Sequence, residues 1–394
     1  MARIAFVCSD PGIPVFGTKG ASVHAQSVLQ VLLDAGHQVH VITPRPGPVA
    51  DHPIGARVTV HRLPTIGHGP TAQREQVAIS SDRAVAAILD RIGPDLVYER
   101  YSLWGRTATA WAAGRQVPSI LEVNAPLPDE QATFRELVAV EMAESTARDA
   151  FNAASVVTCV SEPVAGWVRS MSARPETIMV LPNGVDTQRI HPGNRPVISA
   201  DAPFTVGFVG TLKAWHGVEF LIDALARTST DGWRLLAVGD GPMRADLVRR
   251  AEALGVTAEF TGAVAPDRIA GQLQRMDIGC APYPGTGDHY FSPLKVYEYL
   301  AAGLPVVASA IGQIPDILDH GRLGRLVTPG DPDDLAAALQ QLRSDRPERV
   351  RLAVAGRRQA LARHTWVRVV DHALAAAGVA LSTPAPQASI GVAG

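Results

Sequence analysis

The chain has 394 residues, of which 46% are hydrophobic and 19% charged. That length suits two domains with sizeable cores and excludes a globally disordered protein. A net charge of −2 argues against a dedicated nucleic-acid binder.

No apolar run is long enough to span a bilayer. The N-terminus lacks the charged region, apolar core and cleavage site of a secretory leader. The expected location is therefore cytoplasmic, with peripheral membrane contact disfavoured but left open. Cys8, Cys159 and Cys280 lie far apart in apolar runs. They read as small core residues of a reducing compartment, not as disulfide partners or metal ligands.

Arg3 to Cys8 is an apolar strand, followed by a Gly/Pro loop that runs to Gly20. Within that loop lies Phe16-Gly17-Thr18-Lys19-Gly20. Glycines let a backbone approach a phosphate closely, and a helix N-terminus favours negative charge. Gly17, Lys19 and Gly20 are therefore candidate donor contacts, with an ordinary strand-to-helix loop as the competing reading. The segment is neither the three-glycine dinucleotide fingerprint nor a P-loop. Ala25, Val28, Leu29 and Leu32 then mark one helix face, Gly36 stops the helix, and Gln38 to Ile42 is the next strand. Further on, Leu121-Glu122-Val123-Asn124-Ala125-Pro126 closes a predicted strand. Its polar side chains suit an acceptor cleft, and a loop cap is the alternative. His24, Arg100, Tyr101, Glu122 and Asn124 form the candidate acceptor set.

The second half repeats the plan. Phe204 to Val209 is a strand and Gly210-Thr211-Leu212-Lys213-Ala214-Trp215-His216-Gly217 a loop. Val218, Leu221, Ile222 and Leu225 then face one side of a helix, and Leu235 to Val238 is a strand. Lys213 reads either as a phosphate contact or as a solvated charge. His216, just before the helix, is placed to meet an anion. Tyr290-Phe291-Ser292-Pro293-Leu294-Lys295 leads into a second apolar helix that Gly303 ends. Lys295 brings a positive charge to that helix start, and Glu298 can accept two hydroxyl hydrogen bonds, as from a ribose. The apolar residues around Lys295 and Glu298 would bury them, and buried charges need partners. Asp331-Pro332-Asp333-Asp334 precedes a helix and reads as its cap. No zinc spacing or nucleophile elbow is present, so no metal is expected.

Alternating strands and helices imply two doubly wound α/β domains. The expected layout is a first domain over 1–185, a linker over 186–203 and a second domain over 204–365. A helix over 366–380 and a disordered tail over 381–394 complete it.

These residues resemble the retaining glycosyltransferases of family 4. Leu181-Pro-Asn-Gly-Val-Asp186 looks like that family's Pro-Asn-Gly-Val-Asp signature. Gly210 to Gly217 stands at its glycine-lysine loop and Gly239-Asp-Gly-Pro242 at its Gly-x-Gly-Pro turn. Glu298-Tyr-Leu-Ala-Ala-Gly-Leu-Pro-Val-Val307 covers the end of its Glu-x7-Glu motif, and Gly312-Gln-Ile-Pro-Asp316 resembles its Gly-Gly-Ile-Pro-Glu. The resemblance covers nearly the whole chain. It implies a GT-B fold, two Rossmann-like domains facing an interdomain cleft, with the helix from Trp366 returning to the first domain.

Departures accompany the resemblance. Thr211 stands where the family has its diphosphate-binding arginine, His216 where it has its lysine, and Tyr290 where it has its first glutamate. Asn124 falls at the position of an acceptor-side histidine. Lys295, His216 and Glu298 are then the expected catalytic residues. Gly210, Thr211, Lys213, Val264, Tyr290, Phe291, Ser292 and Leu294 join the loop glycines as donor contacts.

The implied reaction moves a sugar from a nucleoside diphosphate, taken as UDP-linked with GDP the alternative, to a hydroxyl-bearing acceptor. It requires no other cofactor. A nucleotide-sugar epimerase of the same fold and a non-catalytic nucleotide-binding module are the competing readings. The acceptor class stays open among small natural products, polysaccharides and glycolipids. The lack of a strongly basic amphipathic helix disfavours a membrane lipid.

Overall fold

The computed structural model describes residues 1–193, 203–228, 232–285 and 289–380. Residues 194–202 of the expected linker and the expected tail over 381–394 lie outside them. The chain forms two compact units. One is Met1–Pro182 together with the segment from Trp366; the other is Asn183–Thr365.

In the first unit, β1 (Arg3–Cys8), β2 (Gln38–Thr43), β3 (Val58–Arg62), β4 (Leu96–Arg100), β5 (Ser119–Val123), β6 (Val156–Cys159) and β7 (Ile178–Val180) form one sheet. Its order is β3-β2-β1-β4-β5-β6-β7, and every pairing is parallel. In the second unit the strands are β8 (Phe204–Val209), β9 (Trp233–Val238), β10 (Ala258–Phe260), β11 (Ile278–Ala281), β12 (Val306–Ser309) and β13 (Arg325–Val327). Their order is β10-β9-β8-β11-β12-β13, again parallel throughout. Parallel strands need helical crossovers, which cover both faces, so the strands are apolar runs rather than alternations. All residues of β4, β5, β6, β11 and β12 are buried.

Ala25, Val28, Leu29 and Leu32 of helix Gly20–Asp34 are fully buried, as their spacing requires. So are Leu221 and Ile222 of helix Val218–Arg227, with Val218 and Leu225 nearly so. The Asp331 carboxylate accepts from the Asp333 and Asp334 N–H groups, which makes it a helix cap. All three cysteines are buried and free.

One expectation changes. Residues 186–193 are not a free connector. Ile190 is buried in the second unit's core beside Tyr299 and Leu300, and Arg357 donates to the carbonyls of Thr187 and Ile190. Helix Arg346–Arg363 is strongly basic and exposes Val350, Val354 and Leu361. Leu352 and Ala360 of the same helix point inward, so its apolar residues divide between two faces and the helix is not amphipathic. No helix among the described residues is long and apolar enough to cross a membrane.

Candidate active site

In each sheet the crevice lies where the strand order reverses, between β1 and β4 and between β8 and β11. Loops leaving the strand ends diverge there and open a ligand site. The predicted residues gather at these two points.

In the second unit, Tyr299 of helix Leu294–Ala301 pegs the β8 and β11 ends together. Its hydroxyl accepts from the Val209 N–H at 2.9 Å and donates to the Cys280 carbonyl at 3.2 Å. Beyond Val209, Gly210 has φ +145, and a Cβ built there would lie 3.3 Å from the Lys295 Nζ. The positive φ favours glycine here, and its missing side chain leaves room beside the ammonium.

Lys295, the second residue of its helix, is 7% exposed. Its Nζ has no hydrogen-bond partner among the described residues. It lies 4.2 Å from the Phe208 ring centroid and 4.9 Å from that of Tyr283. These rings return part of the solvation the ammonium loses. Burial still pushes its pKa down from 10.5 to about 7, against the pull of Cys280 and Glu298.

His216 departs from expectation. Its Nδ1 lies 2.5 Å from the Thr211 carbonyl. A carbonyl only accepts, so Nδ1 carries the proton and Nε2 of the neutral ring keeps its lone pair. Burial, then the Lys295 charge, pushes its pKa down to about 2. His216 is thus a neutral ring that ties its own loop, not a second cation. Thr211 and Lys213 are exposed.

Glu298 has the partner its burial demands. Arg189 Nη2 sits 3.5 Å from its carboxylate, and Arg189 Nη1 donates to the Pro266 carbonyl at 2.7 Å. Burial raises the Glu298 pKa and Arg189 opposes the rise. Arg189 thereby joins Glu298 to the segment carrying Val264. Val264, Thr261 and Asp267 line a cavity of about 670 Å³ there. Ser292, expected as a donor contact, is an anchor. Its hydroxyl accepts from the Asn183 N–H at 3.1 Å, and its carbonyl accepts from the Asn183 amide at 3.0 Å. That gives the Pro-Asn-Gly-Val-Asp segment a physical task, holding the loop before Lys295. Tyr290, Phe291 and Leu294 are half-buried along the same loop.

In the first unit, four of the five predicted acceptor residues meet. The Glu122 carboxylate accepts from Arg100 Nη1 at 2.8 Å, Asn124 Nδ2 at 2.7 Å and the Tyr98 hydroxyl at 2.7 Å. His24 Nε2 lies 3.0 Å away. Burial opposes ionisation of Glu122, but His24, Arg100 and Asn124 together hold its pKa well below the carboxylate range. Burial holds His24 below its ordinary pKa, so Arg100 is the permanent counter-charge. The His24 ring packs on Trp366, with centroids 4.5 Å apart.

Tyr101 does not belong to this group. It is buried against Phe151 and Trp167, because successive strand residues point to opposite faces and Arg100 occupies the site face. Gly17 lies in the loop before the first helix and Gly20 opens that helix, and Lys19 donates to the Gly12 carbonyl of the loop at 3.1 Å. Among the described residues no group of three or more His, Cys, Asp or Glu side chains could hold a metal ion.

Sequence reasoning missed Arg189, Tyr98 and Tyr299. Arg189 stands three residues after Asp186, and its spacing from Glu298 (109 residues) carries no local signal. Tyr98 had a signal, since it shares a strand face with Arg100.

Two sequence models match the chain, one per unit. The model described as "Glycosyltransferase Family 4" covers residues 18–189, and "Glycosyl transferases group 1" covers residues 203–345.

The chain belongs to glycosyltransferase family 4.

This family member is 30% identical over 246 residues to the GDP-mannose-dependent alpha-(1-6)-phosphatidylinositol monomannoside mannosyltransferase of Mycobacterium tuberculosis. That match covers 57% of this chain and 62% of the relative, under two thirds of its length. It is 28% identical over 369 residues to the GDP-mannose-dependent alpha-mannosyltransferase of the same organism, covering 90% of this chain and 91% of the relative. Among solved structures it resembles a sucrose-phosphate synthase from Thermosynechococcus elongatus, with a TM-score of 0.71 and 21% identity. That match covers 94% of this family member and 96% of the other chain. Another is Anabaena HepE in complex with UDP and glucose, with a TM-score of 0.71 and 21% identity over 94% and 98% of the two chains. The two parallel-sheet domains make the fold of this family 4 member GT-B.

Proposed function

We propose that the chain is a retaining transferase that moves a sugar from a nucleoside diphosphate to an acceptor hydroxyl. One observation carries the reading. The buried Lys295 ammonium lies beside Gly210 at the reversal point of the second sheet, without a hydrogen-bond partner among the described residues. A cation in that state favours an anion at short range far more than a solvated lysine would.

As the glycosidic bond breaks, electrons pass from the anomeric carbon–oxygen bond to the diphosphate, and negative charge grows there. Lys295 and N–H groups of the Gly210 loop favour that charge more than the ground state, which is what lowers a barrier. His216 holds the loop in shape through Thr211. Glu298, its carboxylate facing Arg189, accepts the ribose hydroxyls. The acceptor oxygen bonds to the anomeric carbon on the face the diphosphate leaves, and its proton passes to the departing phosphate. The His24–Arg100–Glu122–Asn124 group of the first unit is the proposed acceptor site.

The class of donor is a nucleoside diphosphate sugar. A UDP-linked donor was the expectation from the sequence, whereas several relatives carry GDP-mannose in their names. Both bases therefore enter the test. UDP-glucose, UDP-galactose and GDP-mannose are each incubated with the protein, with and without sugar and glycolipid acceptors. Diphosphate release that depends on acceptor, with retained anomeric configuration by NMR, supports the proposal. Isomerised donor without acceptor would instead mark an epimerase, and binding without turnover a carrier module.

A further inference from the structure

Trp215 has no part in the mechanism above, yet it is 47% exposed. An indole left open on a packed aromatic cluster offers an apolar plane with a polar N–H at its edge. The ring is held in place. Its centroid lies 3.7 Å from that of His216 and 5.5 Å from that of Phe291, and it runs 15° from parallel to Tyr283 at 6.4 Å. Tyr283 is buried, and Phe291 packs on it at 4.9 Å. The other side of this cluster meets the site, since the Lys295 Nζ lies 4.9 Å from the Tyr283 centroid. An open aromatic wall therefore begins one ring away from the buried ammonium.

We propose that Trp215 is a stacking platform for a pyranose ring. This rests on Lys295 as the diphosphate anchor. The C–H face of a pyranose is apolar and flat, and its rim is hydroxylated. An indole held on other rings offers a matching apolar plane with little side-chain freedom left to lose. Neither the buried Tyr283 nor the half-buried Phe291 presents as much open ring. A sugar joined to a diphosphate at Lys295 would face this plane across the Tyr283 ring.

The test uses the full chain, Trp215→Ala and Trp215→Phe, by calorimetry. The probes are UDP, GDP, UDP-glucose, GDP-mannose, methyl α-glucoside and methyl α-mannoside. If the donor sugar stacks, Trp215→Ala weakens nucleotide-sugar binding by roughly fivefold to tenfold. Binding of the free diphosphate stays unchanged, and Trp215→Phe recovers most of the loss. If an acceptor ring stacks, nucleotide-sugar binding is unchanged and glycoside binding is lost in Trp215→Ala. Equal binding of every sugar probe by parent and Trp215→Ala overturns the platform. Should the parent bind no diphosphate, the Lys295 reading fails separately. The glycosides then decide alone, and no glycoside binding by the parent overturns the platform too. A melting temperature of Trp215→Ala close to the parent's confirms that folding is not the cause.

Discussion

Replacing Lys295 by methionine tests the site through the stability of the empty protein. The folded ammonium titrates near 7 rather than 10.5. Between those values the unfolded chain binds more protons than the folded one, so stability from this group rises with pH across the window. Below pH 7 both states are protonated, and the folded protein carries the whole desolvation cost. At about 1.4 kcal/mol per pH unit, that cost is on the order of 3–5 kcal/mol. Methionine keeps an unbranched stem against Phe208 and Tyr283 and removes the charge. Lys295→Met should therefore melt several degrees above the parent at pH 6, with the gap narrowing steadily towards pH 10. Scanning fluorimetry at pH 6, 7.5 and 9 reads this directly. A variant that melts at or below the parent at pH 6, or a gap that ignores pH, would refute the buried-cation argument. A surface lysine would give that result.

Other outcomes follow from the same contacts. Arg189→Gln removes the cation that opposes protonation of Glu298. Relative to the parent's, diphosphate affinity of this variant should decline from pH 7.5 to 5.5, and Arg189→Lys should restore part of it. Calorimetric profiles that overlay would contradict the ribose role of Glu298. Glu122→Gln leaves Arg100 buried against a neutral amide, at about 3–5 kcal/mol in urea unfolding. The parent's Glu122 contributes stability above the ordinary carboxylate pKa of 4.5 and loses it as pH falls through its depressed folded value. Acid should therefore erode the parent more than the variant, and an unchanged gap would argue against that carboxylate. Asn183→Ala removes the amide bond to the Ser292 carbonyl, worth about 1 kcal/mol, and keeps the backbone N–H bond to the Ser292 hydroxyl. Amide exchange over 290–293 should quicken and diphosphate affinity should drop.

The fold was legible because its signal is local and repeated. Runs such as Ile4 to Cys8 and Val206 to Val209 are apolar on both faces, which only a covered parallel sheet tolerates. Helix faces such as Ala25, Val28, Leu29 and Leu32 fix which side meets it. Lys295 and Glu298 were legible for a related reason, being charged residues inside an apolar helix. Their partners were not. Arg189 reaches Glu298, and Asn183 reaches Ser292, across 109 residues each, and no periodicity encodes such pairs. The protonation state of His216 was not legible from its position beside a helix start. Its state depends on the Thr211 carbonyl and on burial beside Lys295, which only folding brings together. Tyr101 packs on Phe151 and Trp167, away from its neighbour Arg100, because successive strand residues face opposite sides.

The most direct test of the central claim is proton uptake on nucleotide binding. It is measured at pH 8 by titration calorimetry in buffers of differing ionisation enthalpy, with UDP and GDP as ligands. At that pH the Lys295 amine of the empty protein is largely neutral, and a diphosphate beside it restores the charged form. Binding should take up close to one proton in the parent. In Lys295→Met it should take up none and be weaker by roughly tenfold to 150-fold, the worth of a charge-assisted hydrogen bond. Binding by neither diphosphate, or equal uptake in parent and variant, would contradict Lys295 as the diphosphate anchor.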